Sequence, residues 1–143
     1  MLWYFNGVNA AIDGRNQPDF TPILELIRQA RTRTLSTINH ELIDLYWCIG
    51  QYLSEKIEKD SWGKNTVRDL AAYLSQQEPD LKGFSASNLW RMRQFYDTYA
   101  GSEKLAPLVR EIGWSHNIVI LERCADSLER EFYILMTRKF GWS

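Results

Sequence analysis

The sequence predicts an all-α protein with a long N-terminal helix and a helix–turn–helix core. Apolar residues recur every three or four positions from about residue 21 onward, which is the spacing of amphipathic helices. Residues that favour helix starts precede several of these segments. No proline occurs between Pro22 and Pro79, so one helix can run unusually far.

Length and composition indicate one helical domain over residues 21–143, preceded by an arm. The 143 residues are 45% hydrophobic, which is typical of a globular chain with a sizeable core. The net charge of −1 provides no overall basic field, so any DNA binding must come from local patches. No run of about 18 apolar residues is present, and we expect no membrane partner.

Cysteine usage and the N-terminus favour a cytoplasmic protein. Cys48 and Cys124 each lie in an apolar helical pattern and are expected to be buried free thiols, with a disulfide as the alternative. Met1–Phe5 lacks the basic leader and cleavage site of a secretory signal.

Residues 1–20 are predicted to form an irregular arm, because their apolar residues show no sustained periodicity and several turn-forming residues occur among them. We expect Trp3, Tyr4 and Phe5 to dock on a neighbour. A short strand, or residues introduced by cloning, are alternatives.

The long helix is predicted from Pro22 to about Lys59. Thr21 would cap it, Pro22 would occupy the first helical position, and Asp60–Gly63 would end it. Gly50 could kink this helix, or a break could fall near Thr32–Thr37, where residues of low helix propensity cluster.

A heptad-like seam runs along this helix with steps of 3, 4, 3, 4 and 3 residues. It consists of Leu35, Ile38, Leu42, Leu45, Ile49 and Tyr52. Neighbouring apolar residues broaden the face, which favours burial in a bundle, with self-association as a possible addition. The basic cluster Arg28, Arg31 and Arg33 is either a solvated face or a track for phosphates.

Two short helices follow between Thr66 and Tyr99. In the first, Val67–Leu74 carries an apolar stripe, Thr66 would be the N-cap with Asp69 three residues on, and Pro79 and Gly83 would end the segment.

The second helix of the pair would be capped by Ser85, with a hydrophobic staple between Phe84 and Leu89. Its inner stripe is Leu89, Met92, Phe95, Tyr96 and Tyr99. Its opposite face carries Ser87, Trp90, Arg91 and Gln94. This pattern is a helix–turn–helix able to contact DNA, or alternatively a scaffold in which Trp90 anchors an interface or is covered by another helix.

Three further helices complete the chain. A short one is expected over Lys104–Ile112, and Ser115 would cap the next, with Trp114 stapled onto Val119. Asp126 would cap the last helix. The apolar stripe of that helix would be Leu128, Phe132, Leu135, Met136 and Phe140.

Nothing in the sequence predicts catalysis or a bound cofactor. His40 and His116 stand apart from other ligand types, and no metal-ligand spacing, nucleophile motif or phosphate loop occurs. We therefore expect no metal, no cofactor and no enzyme activity from this chain alone.

Four sequence motifs follow one another along the chain. They are WGKNTVRDLAAYL from Trp62, GFSASNLWRMRQFYDTY from Gly83, IGWSHNIVIL from Ile112 and EREFY from Glu129. Together they resemble the N-terminal domain of the YhcG-type family, bacterial proteins of unknown function, over roughly Thr21 to the end. The closing Gly141–Ser143 is similar to the start of the family's next motif.

The resemblance implies a helical DNA-binding module, similar to a winged-helix or helix–turn–helix domain, that positions a metal-dependent PD-(D/E)XK nuclease domain whose catalytic residues lie outside this chain. The matching motif positions are Asn88, Arg93, Trp114, Ser115 and His116. We expect DNA contacts from some of these motif positions and from the outer face of the second short helix. The expected contact residues are Lys82, Ser87, Asn88, Trp90, Arg91, Arg93 and Gln94. The rival expectation is an assembly module in which the long helix dimerises or docks another protein.

Overall fold

The computed structural model describes residues 18–141 and contains six α-helices, with no β-strand in that range. They are α1 (Thr21–Lys59), α2 (Lys64–Gln77), α3 (Ala86–Tyr99), α4 (Leu105–Val109), α5 (Trp114–Arg123) and α6 (Ser127–Phe140). The predictions of an all-α fold and of a long N-terminal helix are confirmed. The chain divides into two units, with the boundary between Ile38 and Asn39.

The ends of α1 follow from local chemistry. The carboxylate Oδ1 of Asp19 accepts a hydrogen bond from the Thr21 amide at 3.0 Å, so Asp19 supplies the cap expected of Thr21. At the other end, Ser61, two residues after Lys59, adopts a left-handed φ of 55°. No break occurs at Thr32–Thr37 or at Gly50.

Two predicted N-caps are confirmed. The Ser85 hydroxyl accepts a hydrogen bond from the Asn88 amide at 3.2 Å, and Oδ1 of Asp126 accepts one from the Leu128 amide at 2.8 Å. Each side chain satisfies an amide that would otherwise lack a partner in the first turn of its helix.

Two other predicted N-caps are wrong. α2 begins two residues before Thr66, after Gly63, and α5 begins at Trp114, after Gly113. The carbonyls of these glycines accept the first helical hydrogen bonds at 3.1 Å, and neither glycine can offer a capping side chain. Thr66 and Ser115 therefore lie inside the helices that they were expected to start.

The core of the second unit is formed by one face of α1 and by α2–α6. Its buried hydrophobic residues are Ile43, Tyr46, Leu53, Val67, Leu89, Met92, Phe95, Tyr99, Leu105, Val109, Ile112, Ile120, Leu121, Cys124 and Ile134. Of the predicted inner stripe of α3, four residues are fully buried and Tyr96 is half-buried.

A close helix crossing places α1 against α3. A Cβ atom at Gly50 would lie only 2.1 Å from the carbonyl oxygen of Met92. Only glycine allows the two backbones to approach so closely. Asp97 of α3 is bound to α1 at the next turn, where it accepts a hydrogen bond from the Ser54 hydroxyl at 2.5 Å.

The seam of α1 is not buried within a bundle, which corrects that expectation. Within the second unit, Leu42, Leu45 and Tyr52 are exposed and Ile49 is half-buried. The buried face of α1 is instead Ile43, Tyr46, Gly50, Leu53 and Ser54. In the first unit, Leu35 and Ile38 are exposed as well.

The predicted stripe of α6 is also wrong. Leu128, Phe132, Leu135 and Phe140 are exposed, and only Met136 of that set is half-buried. α6 packs through Ile134 and Thr137 instead.

In the first unit, the described part of α1 has no buried residue, and Ile23, Leu24 and Ile27 are exposed.

The expected docking of Trp3, Tyr4 and Phe5 lies outside the described residues, and so does most of the closing Gly141–Ser143. No helix among residues 18–141 is both long and apolar enough to cross a bilayer.

Candidate functional site

The motif residues Asn88 of α3 and Trp114 of α5 form an internal hydrogen-bond bridge. The side-chain nitrogen Nδ2 of Asn88 donates to the carbonyl oxygen of Gly83, which has a left-handed φ of 91°. The side-chain oxygen Oδ1 of the same residue accepts a hydrogen bond from Nε1 of Trp114 at 3.1 Å. Asn88 therefore ties the turn before α3 to the start of α5.

An aromatic cluster surrounds this bridge. The ring of Trp114 lies 4.8 Å from that of Tyr46 and 5.2 Å from that of Phe95, measured between centroids. Tyr46 in turn contacts Phe84 edge-on at 6.1 Å. Such tilted contacts stabilise beyond the area that they bury. Trp114 therefore packs inward, and the predicted staple onto Val119 is wrong, since Val119 is exposed.

The loop before α5 is held by two asparagines. Nδ2 of Asn117, which is fully buried, donates to the carbonyl of Val109 at 2.9 Å. Nδ2 of Asn39 in α1 donates to the carbonyl of Ile112 at 3.1 Å. Of the neighbouring motif residues, Ser115 is exposed and His116 is half-buried. The sequence motif around Trp114 therefore serves mainly to fix the start of α5 and the loop before it.

The outer face of α3 is open to solvent. Ser87, Arg91 and Gln94 are exposed, and so is Lys82 in the preceding turn. Arg91 forms an ion pair with Glu122 of α5 at 3.2 Å. An exposed pair of this kind is worth about 0–1 kcal/mol, so a phosphate could compete for the guanidinium group.

The remaining predicted DNA contacts are engaged in the fold. Trp90 is half-buried against the core, and the guanidinium carbon of Arg93 lies 5.8 Å from its ring centroid. Arg93 also pairs with Asp97 at 3.2 Å. The predicted set therefore separates into open residues (Lys82, Ser87, Arg91 and Gln94) and residues with partners inside the chain (Asn88, Trp90 and Arg93).

A groove along α1 is the feature that sequence reasoning missed. It has a volume of about 460 Å³ and is lined almost entirely by apolar atoms. Its walls are Leu45, Cys48, Ile49, Tyr52, Leu53, Leu70, Leu74, Leu81, Phe84 and Leu89. Three seam residues thus border the groove. The sequence signals for its opposite wall are the apolar stripe of α2 and Leu81, an apolar residue in the turn between α2 and α3.

The two cysteines differ in environment. Both are free; Cys124 is buried, whereas Cys48 is exposed, which corrects the expectation that both are buried. Burial raises the pKa of the Cys124 thiol, and the nearby Glu129 adds to the effect. Among residues 18–141, no three His, Cys, Asp or Glu side chains come together as a possible metal site.

The basic cluster on the first unit is solvated. Arg28, Arg31 and Arg33 are exposed, and Arg28 pairs with Glu25 one turn away at 3.3 Å. Such pairs contribute little to stability, and the cluster remains available to an external partner.

Comparison with known proteins gives a family and no close relative. Neither a curated protein nor a solved structure matched the chain. The model of the DUF1016 N-terminal domain matches residues 22–143, which include all six helices apart from Thr21. The chain therefore belongs to the DUF1016 N-terminal domain family.

Proposed function

We propose that this chain is a non-catalytic assembly module that self-associates through the seam of α1. One observation carries the proposal: Leu42, Leu45 and Tyr52 are 42%, 44% and 53% exposed beside an apolar groove. Contiguous exposed apolar surface of this kind marks interaction sites in water-soluble domains. The net charge of −1 supplies no overall basic field that would attract a polyanion.

The expected affinity is moderate. Burying the exposed half of a large apolar side chain contributes about 1 kcal/mol. Five of the six seam residues are exposed in this way, since Ile49 is half-buried, and a pair of molecules therefore gains on the order of 10 kcal/mol, which is close to the cost of association. We expect a dimer that depends on protein concentration rather than an obligate one.

Light scattering and sedimentation of the chain over a wide concentration range test this function. The unmodified chain should dimerise, whereas Leu45→Glu should remain monomeric because it places a charge in the seam. Leu128→Glu is the matched control, since Leu128 is exposed on α6, away from the seam. A chain that stays monomeric at millimolar concentration would contradict the proposal.

A second candidate function is DNA binding through α2 and α3, used as a helix–turn–helix. The specific observation in its favour is the open face of α3, where Ser87, Arg91 and Gln94 are exposed. In this proposal Lys82 and Arg91 contact phosphates, and Ser87 and Gln94 contact base edges. Arg93 would add a further phosphate contact.

Electrophoretic shifts with a DNA duplex test this candidate. Arg91→Ala should weaken binding and reduce the salt slope by about one unit, because one phosphate contact is lost. Lys139→Ala, on the exposed surface of α6, removes the same charge outside the helix pair, is the control and should leave binding unchanged. Equal binding by both variants and the unmodified chain would remove α3 from the interface.

The resemblance to YhcG-type proteins suggests what such a module serves. In a longer protein it would hold a PD-(D/E)XK nuclease domain, bring two copies together and direct them to DNA. Both candidate functions are compatible with this role, because DNA-binding helix pairs often act as dimers.

A further inference from the structure

We infer that the apolar groove along α1 is a docking site for one amphipathic helix of a different protein, whose apolar stripe is flanked by lysine or arginine. This inference goes beyond the proposed self-association, because the occupant is not a second copy of this chain. Leu45 and Tyr52 belong both to the groove and to the seam. A docked helix and a second copy therefore compete for the same side of α1.

The groove has the form that a helix fills. One wall contains Leu45, Ile49 and Tyr52, which recur along α1 every three or four residues, and the other contains Leu70 and Leu74 of α2 at the same interval. Rows of this spacing are the ridges against which a further helix packs. No β-strand is present among residues 18–141, so no free strand edge is available there to bind an extended peptide.

The walls of the groove select an apolar stripe. All of its lining residues are described, and the surface that they expose around a volume of about 460 Å³ is almost entirely apolar. Sites for small ligands carry a few polar groups that fix the orientation of the ligand. The walls of this groove offer no such set, so the polar part of recognition falls to the residues around its rim.

The rim of the groove is acidic on both sides. The amide of Leu81 donates a hydrogen bond to the carbonyl of Glu78 at 3.0 Å, which holds Glu78 beside the groove. Asp80 precedes Leu81, and Lys82 follows it. On the opposite side, Glu41 lies one helical turn before the lining residues of α1. Glu41, Glu78 and Asp80 are exposed, and none of the three has an ion-pair partner in the part of the chain that the structure describes.

The basic residues near the groove do not cancel this charge. Lys56, on the groove side of α1, is already paired with Asp60 at 2.9 Å. The segment 39–89, which supplies every wall, holds eight acidic and five basic residues and thus a net charge of −3. Of these acids only Asp44 pairs with a base outside the segment, Arg110, at 3.0 Å. Lysine or arginine beside the apolar stripe of a docked helix therefore complements the rim.

Cys48 gives the unmodified chain a reporter in the groove. Its thiol is exposed and lines the groove, whereas Cys124 is buried, so a thiol reagent reacts with Cys48 first. The probe is a synthetic helix of leucine and lysine that carries the two residue types on opposite faces. It is added to the chain at a concentration at which light scattering finds monomers. We expect this probe to slow the labelling of Cys48 to near the rate of Cys124, because it covers the thiol.

Three further probes define what the groove takes. The same helix with glutamate in place of lysine should leave the labelling rate unchanged, and so should the helix with alanine in place of leucine. Equal protection by the lysine and glutamate helices would contradict a basic partner. Protection by palmitate in the absence of protection by the leucine–lysine helix would show that the groove takes a small apolar ligand, and the inference would be wrong.

Two matched pairs of variants place the probe on the chain. Leu81→Ser removes apolar surface from the wall that the seam does not share, and it should weaken binding of the leucine–lysine helix about five-fold. Leu128→Ser, on the exposed surface of α6, should leave binding unchanged. Glu78→Lys should weaken binding about three-fold at low salt, and the difference should shrink as salt rises. Glu103→Lys makes the same change of charge outside the groove and should have no such effect.

The outcomes for the groove and for self-association are distinguishable. A chain that dimerises at high concentration while the leucine–lysine helix fails to protect Cys48 retains the proposed function and overturns only this inference. A chain that stays monomeric while the helix protects Cys48 retains the docking site and overturns only the proposed function. Equal losses of binding in each variant and its control would remove the helix from the groove.

Discussion

Nε1 of Trp114 donates a hydrogen bond to Oδ1 of Asn88 at 3.1 Å, while the side-chain Nδ2 of Asn88 donates to the carbonyl oxygen of Gly83. One side chain thereby fixes the turn before α3 and the first residue of α5. Both Asn88 and Trp114 lie in the sequence motifs on which the family resemblance rests. These motifs therefore specify a structural contact between α3 and α5, independently of what the outer face of α3 binds.

Asn88→Ala should destabilise the fold by about 2–3 kcal/mol, because it leaves the half-buried indole N–H of Trp114 and the Gly83 carbonyl without partners. Urea unfolding followed by tryptophan fluorescence measures the change. Asn65→Ala, at an exposed position of α2, is the control and should change stability by less than about 0.5 kcal/mol.

The double variant Asn88→Ala with Trp114→Phe separates the hydrogen bond from packing. If the bond carries the effect, the two losses will be less than additive, since each substitution removes the same bond. Fully additive losses would show that Asn88 stabilises the chain by other means.

Gly50→Ala should destabilise the fold by about 3 kcal/mol or prevent folding, because the added methyl would lie 2.1 Å from the Met92 carbonyl oxygen. Thermal unfolding by circular dichroism measures it. Gly101→Ala adds the same methyl where nothing lies within 4 Å and should shift stability by less than about 0.5 kcal/mol. Equal stability of the two variants would mean that α1 does not cross α3 at Gly50.

The helices could be predicted from the sequence because their signals are local. Proline-free length and periodicity predicted α1, and Ser85 and Asp126 cap helices as expected. The predictions that Thr66 and Ser115 are N-caps were wrong. A hydroxyl residue near a helix start is common, and the observed starts follow Gly63 and Gly113. A glycine start gives no side-chain signal.

The buried face of α1 could not be predicted because two apolar faces lie about 100° apart on the same helix. Ile43, Tyr46 and Leu53 follow the seam by one residue, and periodicity counts both rows equally. The deciding contact is at Gly50, which an apolar count omits. The same ambiguity applies to α6, where Ile134 packs inward and Phe132 stays exposed.

Tyr99 should make the stability of the fold fall above pH 10. Its ring is fully buried, its hydroxyl has no hydrogen-bond partner among the described residues, and burial raises its pKa to about 12. Since the folded pKa lies above the ordinary value of about 10, the fold favours the neutral phenol. This contribution is complete below pH 10 and is lost as pH rises through 12, by about 2–3 kcal/mol.

Tyr99→Phe should remove this loss, and it should be neutral or slightly stabilising at pH 7 because it deletes an unpaired buried hydroxyl. Urea midpoints at pH 8, 10 and 11.5 measure both effects. Tyr73→Phe, on an exposed ring, is the control and should keep the alkaline loss. An unchanged pH profile in Tyr99→Phe would show that another group controls alkaline unfolding.

Glu122→Gln should strengthen DNA binding if α3 contacts a duplex. Glu122 pairs with Arg91 at 3.2 Å, and both side chains are about half exposed, so the substitution frees the guanidinium group and removes a negative charge near the phosphates. We expect an affinity gain of about three-fold at low salt that shrinks as salt rises. Glu111→Gln, which breaks the equivalent exposed pair with Arg138, is the matched control and should have no effect. An equal gain in both variants would indicate a response to net charge alone and would count against α3 as the DNA-contacting surface.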